Sequence, residues 1–353
     1  NPNTMALFGF NRGFSDYVDL KPDILLGAPA SGAHLSLYQV MRRVYLAVEG
    51  KLRGGKLRIA NFYQPAESVT RTALNWLDGP KRPKDRPFYL YVHYMDTHDP
   101  FMDHARPGVG YARARMERPD PDKFLEPMKL AYASEVEYMD RHLGALFEGL
   151  RERGLWDNTL VVFVSDHGEE FYDHGGWWHG QTLYEELLRV PLIVKLPGGA
   201  RAGLENNDFA RLVDLAPTML HFAGLPPDPG MQGQSLFGAD GNPANADIHH
   251  SYAENDFENN VLQSLRGRDH ALIQANPGNP RGTKPLELYD MRSDPAQQRD
   301  FANDAGFSAV LGTLKTLLER YRREILENAP QPGADAELST EEREQLESIG
   351  YAG

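Results

Sequence analysis

Leu160-Val161-Val162-Phe163-Val164-Ser165-Asp166-His167-Gly168-Glu169 is an apolar run of strand length that passes, after one serine, into a carboxylate, an imidazole and a glycine. A run this apolar, with Thr159 before it, belongs inside a sheet covered on both faces. In open α/β sheets, ligands bind in the crevice beyond the carboxyl ends of the strands. Asp166 offers a hard oxygen and His167 a borderline nitrogen, and Gly168 lets the backbone turn sharply enough for both to face one point. A divalent cation asks for such a pair. The competing reading is a turn in which Asp166 caps the next helix and His167 is merely solvated. Position at the end of a buried strand favours the metal.

Working outward, the residues before this strand carry Val136, Met139, Leu143, Leu146 and Leu150 at helical intervals and stop at Gly154, which predicts a helix over 129–153. The same spacing predicts helices over 35–48 and 66–77, and Pro87-Phe88-Tyr89-Leu90-Tyr91-Val92 reads as a buried strand. A further strand is expected over 190–196, and a helix led by Asp214 and Pro217 runs towards Gly224. Helices feeding buried strands indicate an α/β layer fold. Beyond Gly230 the segments become short and turn-punctuated, at 255–268, 270–274 and 286–289, as expected of a small antiparallel sheet, and a last helix is predicted over 308–327. The expected division is a main α/β domain over 1–235 and a smaller α+β domain over 236–353.

Two further clusters leave strands on the same kind of edge. In His93-Tyr94-Met95-Asp96-Thr97-His98-Asp99-Pro100, His98 is placed to bond an anionic ester or protonate a leaving group, and one of His93 and His98 is expected to be structural. In Asp173-His174-Gly175-Gly176-Trp177-Trp178-His179-Gly180, a glycine-rich loop offers two imidazoles that would hold an anion when charged. Trp177 and Trp178 suit either stacking on a sugar or aryl ring or a hydrophobic lid.

Composition removes several classes of function. With 41% hydrophobic and 25% charged residues the chain is globular, and a formal net charge of -13 without a basic run excludes nucleic acid as a partner. No apolar run is long enough for a membrane span. The absence of cysteine removes disulfides, thiolate nucleophiles and cysteine-based zinc sites. The start, Asn1-Pro2-Asn3-Thr4, has neither an initiator Met nor a signal pattern, so the chain is expected to begin mid-protein.

The segment from Phe163 to Glu169, with His179-Gly180-Gln181-Thr182-Leu183-Tyr184-Glu185-Glu186 and Arg189-Val190-Pro191-Leu192-Ile193, resembles the carboxy-terminal signature of the sulfatase family in the alkaline phosphatase superfamily. Val213-Asp214-Leu215-Ala216-Pro217-Thr218 with Gly224, Gly233-Gln234-Ser235-Leu236, Leu288-Tyr289-Asp290 with Asp294-Pro295, and Ser348-Ile349-Gly350-Tyr351 resemble it in the same order. The resemblance implies an alkaline-phosphatase-like sandwich with a central mixed sheet flanked by helices, plus a C-terminal domain with an antiparallel sheet and a terminal helix. It implies one divalent cation, calcium first and manganese or zinc as alternatives, held by the pair matching Asp166 and His167 and by two carboxylates upstream. It also implies that His98 contacts the sulfate ester, that His179 serves the leaving group, with His174 the weaker candidate, and that His174 and Trp178 help bind substrate. Many members have Asn where His167 stands, which keeps phosphodiester and phosphonate monoester hydrolysis open beside sulfate monoester hydrolysis. The family nucleophile is a formylglycine made in a Cys/Ser-x-Pro/Ala-x-Arg motif, and no such motif occurs in these residues. The expected partners are therefore a small anionic ester, a sulfated sugar among them, and an upstream segment carrying the nucleophile. The alternative from another class is a non-catalytic binding protein of the same fold. The resemblance leans towards a periplasmic or secreted location.

Overall fold

The computed structural model describes residues 9–20, 63–245, 247–257 and 259–327. They divide into two compact units, 9–20 with 63–153 in the first and 154–327 in the second. The helix expected over 35–48 and the stretch after 327 lie outside the described residues.

In the first unit, α1 (Ala66–Asp78) follows Pro65 and receives its cap from afar, since Asp96 Oδ1 accepts the Ala66 N–H at 2.9 Å. Two two-residue strands, β1 (Phe101–Met102) and β2 (Gly110–Tyr111), pair antiparallel. The long helix α2 (Pro121–Glu152) starts earlier than its apolar spacing predicts, because Asp120 caps it and Pro121 occupies the first turn, where its missing N–H costs nothing. It ends before Gly154, whose φ of 63° no helix continues. Gly149 lets α1 close on α2, for a Cβ there would lie 2.3 Å from the Leu74 side chain. Thr70 adds a hydroxyl bond to the His142 carbonyl at 3.0 Å. The buried strand expected over 87–92 is corrected. These residues have no ladder partner among the described residues, and Tyr89 and Tyr91 are exposed while Phe88, Leu90 and Val92 are half-buried, the pattern of extended chain covered on one side.

In the second unit, β3 (Val161–Val164) pairs antiparallel with β6 (Leu192–Lys195). Both-face burial is also corrected: β3 is half-buried and Ile193 is 63% exposed, since no third strand joins this pair among the described residues. Between them lie the hairpin β4 (Glu170–Phe171) and β5 (Trp177–Trp178) and the single turn α3 (Glu185–Leu188). α4 (Leu215–Phe222) closes before Gly224, at φ 69°.

The small sheet forms as predicted, with strands β7 (His250–Phe257), β8 (Asn260–Gly267), β9 (His270–Ala275) and β10 (Leu286–Asp290) in antiparallel succession. Its register lines up Leu265, Leu272 and Leu288 across three strands, and Leu314 and Leu318 of α5 (Ser308–Glu327) pack on that row. Ala271, Ile273 and Tyr289 cluster instead with Tyr184, just before α3. The sheet thus anchors α3 as well as α5. Tyr184 donates its hydroxyl to the buried Glu287 at 2.9 Å, and Arg266 pairs with Glu185 at 2.6 Å. Asp214, fully buried, accepts bonds from Arg211 and from the Gln234 N–H, while Gly233 passes so close to Val213 that a Cβ would meet its carbonyl at 1.9 Å. Among the described residues no helix is long and apolar enough to cross a membrane.

Candidate active site

The chain leaves β3 through Ser165, whose hydroxyl donates to the His167 carbonyl at 2.7 Å. His167 Nδ1–H donates to the Gly168 carbonyl at 2.7 Å, which makes Nε2 the atom that carries a lone pair. Asp166 Oδ1 lies 3.9 Å from that Nε2, and the Asp166 side chain is 66% exposed. Gly168 is required for a reason other than a sharp turn: its N–H donates to the Leu187 carbonyl at 2.8 Å, and a Cβ would fall 1.9 Å from the Glu186 carbonyl. Close approach of α3 to the end of β3 is what this glycine permits. Among the described residues no group of three or more His, Asp or Glu stands ready to hold a metal. Asp166 and His167 are therefore a pair, one oxygen and one nitrogen donor, whose chemistry fits half the coordination of a divalent cation.

His179 is brought beside this pair. Its ring centroid is 4.4 Å from that of His167, and its Nδ1 lies 3.0 and 3.2 Å from the two carboxylate oxygens of Glu169. Glu169, whose side chain is 4% exposed, takes the Nδ1 proton and sets the ring's orientation. The turn into His179 is held by Trp178, which has a φ of 72° and is 1% exposed. Substrate stacking by Trp178 is thereby corrected: burial of its indole stabilises a backbone conformation that costs about 1–2 kcal/mol for a non-glycine residue.

His174 is also reassigned. Nδ1 lies 2.7 Å from Glu186 Oε1 and Nε2 lies 3.0 Å from the Gln297 carbonyl, while the ring stacks on Tyr184 at 3.8 Å. Both partners accept, so both nitrogens carry protons. Burial opposes the charged ring, but the hydrogen bond and charge of Glu186 outweigh it and raise the pKa. The residue ties the hairpin tip to α3 and to Gln297, leaving neither nitrogen for substrate. Glu170, buried beneath that tip, accepts the N–H groups of His174 and Gly176, and its burial raises its pKa.

In the first unit, His98 donates Nδ1–H to the Asp99 carbonyl at 2.9 Å, and its own N–H bonds the Met95 carbonyl. The loop is closed by Tyr63, whose buried hydroxyl lies 3.1 Å from the Asp96 carbonyl and 3.5 Å from that of Pro100. Asp96 is fully buried, its Oδ2 has no hydrogen-bond partner, and burial pushes its pKa up to about 6. Nearby, Glu135 accepts the Met102 N–H and bonds His104, both at 2.7 Å, and burial raises its pKa too. His93 stacks on Tyr91 and bonds its hydroxyl at 3.1 Å.

Comparison with known proteins places this geometry. The family model described as sulfatase matches residues 38–225, more than half of the chain. The chain belongs to the sulfatase family, within the alkaline phosphatase superfamily. The model described as N-sulphoglucosamine sulphohydrolase, C-terminal, matches residues 173–324 of this sulfatase chain. It is 30% identical over 207 residues to the N-acetylglucosamine-6-O-sulfatase of Bacteroides thetaiotaomicron, covering 56% of this chain and 36% of that protein. The first three curated relatives it matches are spanned over only 36%, 58% and 41% of their lengths. The solved structure of BT4656 in complex with its substrate D-glucosamine-2-N,6-O-disulfate superposes with a TM-score of 0.57 at 20% identity, over 76% of this chain and 71% of that one. The phosphonate monoester hydrolase of Agrobacterium radiobacter superposes with a TM-score of 0.50 at 26% identity, over 61% and 44%. The fold is thus the α/β, alkaline-phosphatase-like one, with the antiparallel sheet and terminal helix expected.

Four residues escaped the sequence reading. Glu169 stands ten places before the His179 it orients, and Glu186 and Gln297 stand 12 and 123 places from His174. Tyr63 closes the His98 loop from 33 residues away. Only Glu169, inside the Asp-His-Gly-Glu run, carried any local signal.

Proposed function

We propose that this chain forms part of a metal-dependent sulfatase, in which Asp166 and His167 bind the cation, His98 contacts the ester oxygens and His179 serves the leaving group. The observation that carries the reading is the grouping of Asp166, His167 and a Glu169-oriented His179 at the end of β3 in a chain of this family. One divalent cation is expected, calcium first, with the His167 nitrogen keeping manganese and zinc as alternatives. Such an ion, when bound, supplies positive charge against the ester oxygens. With Nδ1–H given to Glu169, His179 holds its exchangeable proton at Nε2, where it can be passed to a departing alcohol. His98, fixed through Nδ1, likewise presents Nε2.

In this reading the nucleophile is a formylglycine on a segment preceding residue 1, together with two further metal carboxylates. Residues 1–235 form the catalytic domain and 236–353 the smaller one. The names of the sulfatase relative and of the C-terminal family model support an amino-sugar sulfate as substrate. The phosphonate monoester hydrolase likeness supports a second reading, hydrolysis of a phosphorus ester on the same scaffold. Measuring kcat/KM on the full-length protein with matched aryl sulfate, phosphate diester and phosphonate monoester separates them. The sulfate is expected to be fastest. A clear preference for either phosphorus ester overturns the sulfatase reading, and no turnover of any ester favours a non-catalytic binding protein.

A further inference from the structure

The chain after His98 returns two arginines to its side. β1 and β2 pair Phe101 with Tyr111 and Met102 with Gly110. Extending that antiparallel register by two residues sets Asp99 opposite Arg113, and Asp99 Oδ1 does accept the Arg113 N–H at 2.7 Å. One 3-10 turn follows, Arg113–Arg115. Asp99, Arg113, Arg115, Met116 and Glu117 then line an open cleft of about 630 Å³, within the range that holds a small ligand. From this the geometry points to a subsite beside His98 for a second anionic substituent of the substrate, bound by the guanidinium groups of Arg113 and Arg115.

Arginine presents donors in a planar fork that matches sulfate and carboxylate oxygens in pairs. Here the two cations stand against two carboxylates, Asp99 and Glu117, so the empty cleft is balanced. That balance makes the subsite selective through short directed bonds, since a chain of net charge -13 cannot attract an anion at long range. It also gives the neighbours opposite effects. Without Arg115, the carboxylates face the substituent with one cation fewer and repel it. Without the Glu117 charge, the arginines hold it better.

The inference rests on the sulfated-sugar reading above, and its test uses the full-length protein. The quantity measured is the ratio of kcat/KM for D-glucosamine-2-N,6-O-disulfate, which carries a second anion, to that for N-acetylglucosamine 6-sulfate, which does not. Arg115→Gln is expected to lower this ratio at least about fivefold, Arg115→Lys to lower it less, and Glu117→Gln to raise it about twofold or more. General structural damage cannot move the ratio in opposite directions for two residues of one turn. Unchanged ratios, or shifts of the same sign in Arg115→Gln and Glu117→Gln, overturn the subsite. Calorimetric binding of N-sulfoglucosamine against N-acetylglucosamine gives the same comparison without turnover. If the protein cleaves only phosphorus esters, the sulfatase reading fails alone, and the order of these binding constants still decides the subsite: no preference for the anionic sugar overturns it.

Discussion

Two histidines of one hairpin have different tasks because their partners differ in number. His174 meets two acceptors, Glu186 and the Gln297 carbonyl, and is held charged; His179 meets the single carboxylate of Glu169 through Nδ1. A proton held at one defended nitrogen is structural, while one held opposite a single orienting acid is available at the other nitrogen. Glu169→Gln should therefore act through His179, lowering kcat by roughly tenfold to a hundredfold, with losses larger for alkyl than for activated aryl sulfates. His179→Ala should show the same dependence on the leaving group more strongly. Equal losses across the series would remove the proton-donor role from His179. At the metal pair, Asp166→Ala should lower bound divalent metal and activity together, as read by elemental analysis of the purified full-length protein. Full metal occupancy in that variant would show that the exposed Asp166 carboxylate is not a ligand.

At the scale of elements, the site depends on how closely α3 approaches the end of β3. Gly168→Ala would place a Cβ 1.9 Å from the Glu186 carbonyl, a backbone contact that cannot yield cheaply. A loss of about 3 kcal/mol or more is expected, read as the midpoint shift in urea, and an unchanged midpoint would mean that α3 stands further from β3. His174 supports the same contact, and its pKa is raised in the folded protein. Its contribution is fully present below the unfolded value of about 6.5 and is lost as pH rises through the higher folded value. His174→Gln should therefore cost most in mildly acidic solution, with the difference from the natural protein shrinking at alkaline pH; a constant difference would deny the ion pair. Much of this level was legible in the sequence. Helical spacing marked α1 and α5 closely because each buries one apolar stripe, and Asp166-His167 stood out because both donors are adjacent in the chain. The start of α2 was missed because Asp120 and Pro121 lie before its apolar stripe, so only cap chemistry announces it. Trp178 and His174 were misread because a type of residue does not reveal whether its ring is buried or its nitrogens are already bonded. Several family landmarks, such as Asp214 with Gly233 and Gln234, turn out to be locks between backbone segments.

Across the whole molecule, buried carboxyl groups set an unusual dependence of stability on pH. Asp96, Glu135 and Glu170 all have raised pKa values, with burial the leading cause in each case. A carboxyl that binds its proton more tightly when folded loses stability as pH rises from its unfolded value through its folded one, because the unfolded chain ionises first. His174 acts in the same direction at higher pH. The carboxylates with lowered values, such as Asp78 and Asp103, act oppositely, but they lose their contribution only as pH falls below about 4 and are paired near solvent, where such pairs are worth little. The described residues should thus favour mildly acidic over alkaline solution. Asp96 provides the cleanest test. Its pKa moves from 3.8 to about 6, a shift worth on the order of 3 kcal/mol at about 1.4 kcal/mol for each pH unit. Asp96→Asn keeps an acceptor for the Ala66 N–H and removes the charge. Its new amide protons face a site where Oδ2 has no partner, a cost that does not vary with pH. The stability of Asp96→Asn relative to the natural protein should therefore rise between pH 4 and pH 7 and level off above it, whichever protein is the more stable at the start. Denaturant midpoints collected across that range would show the rise, and parallel curves would mean that Asp96 reaches solvent or a cation and ionises normally.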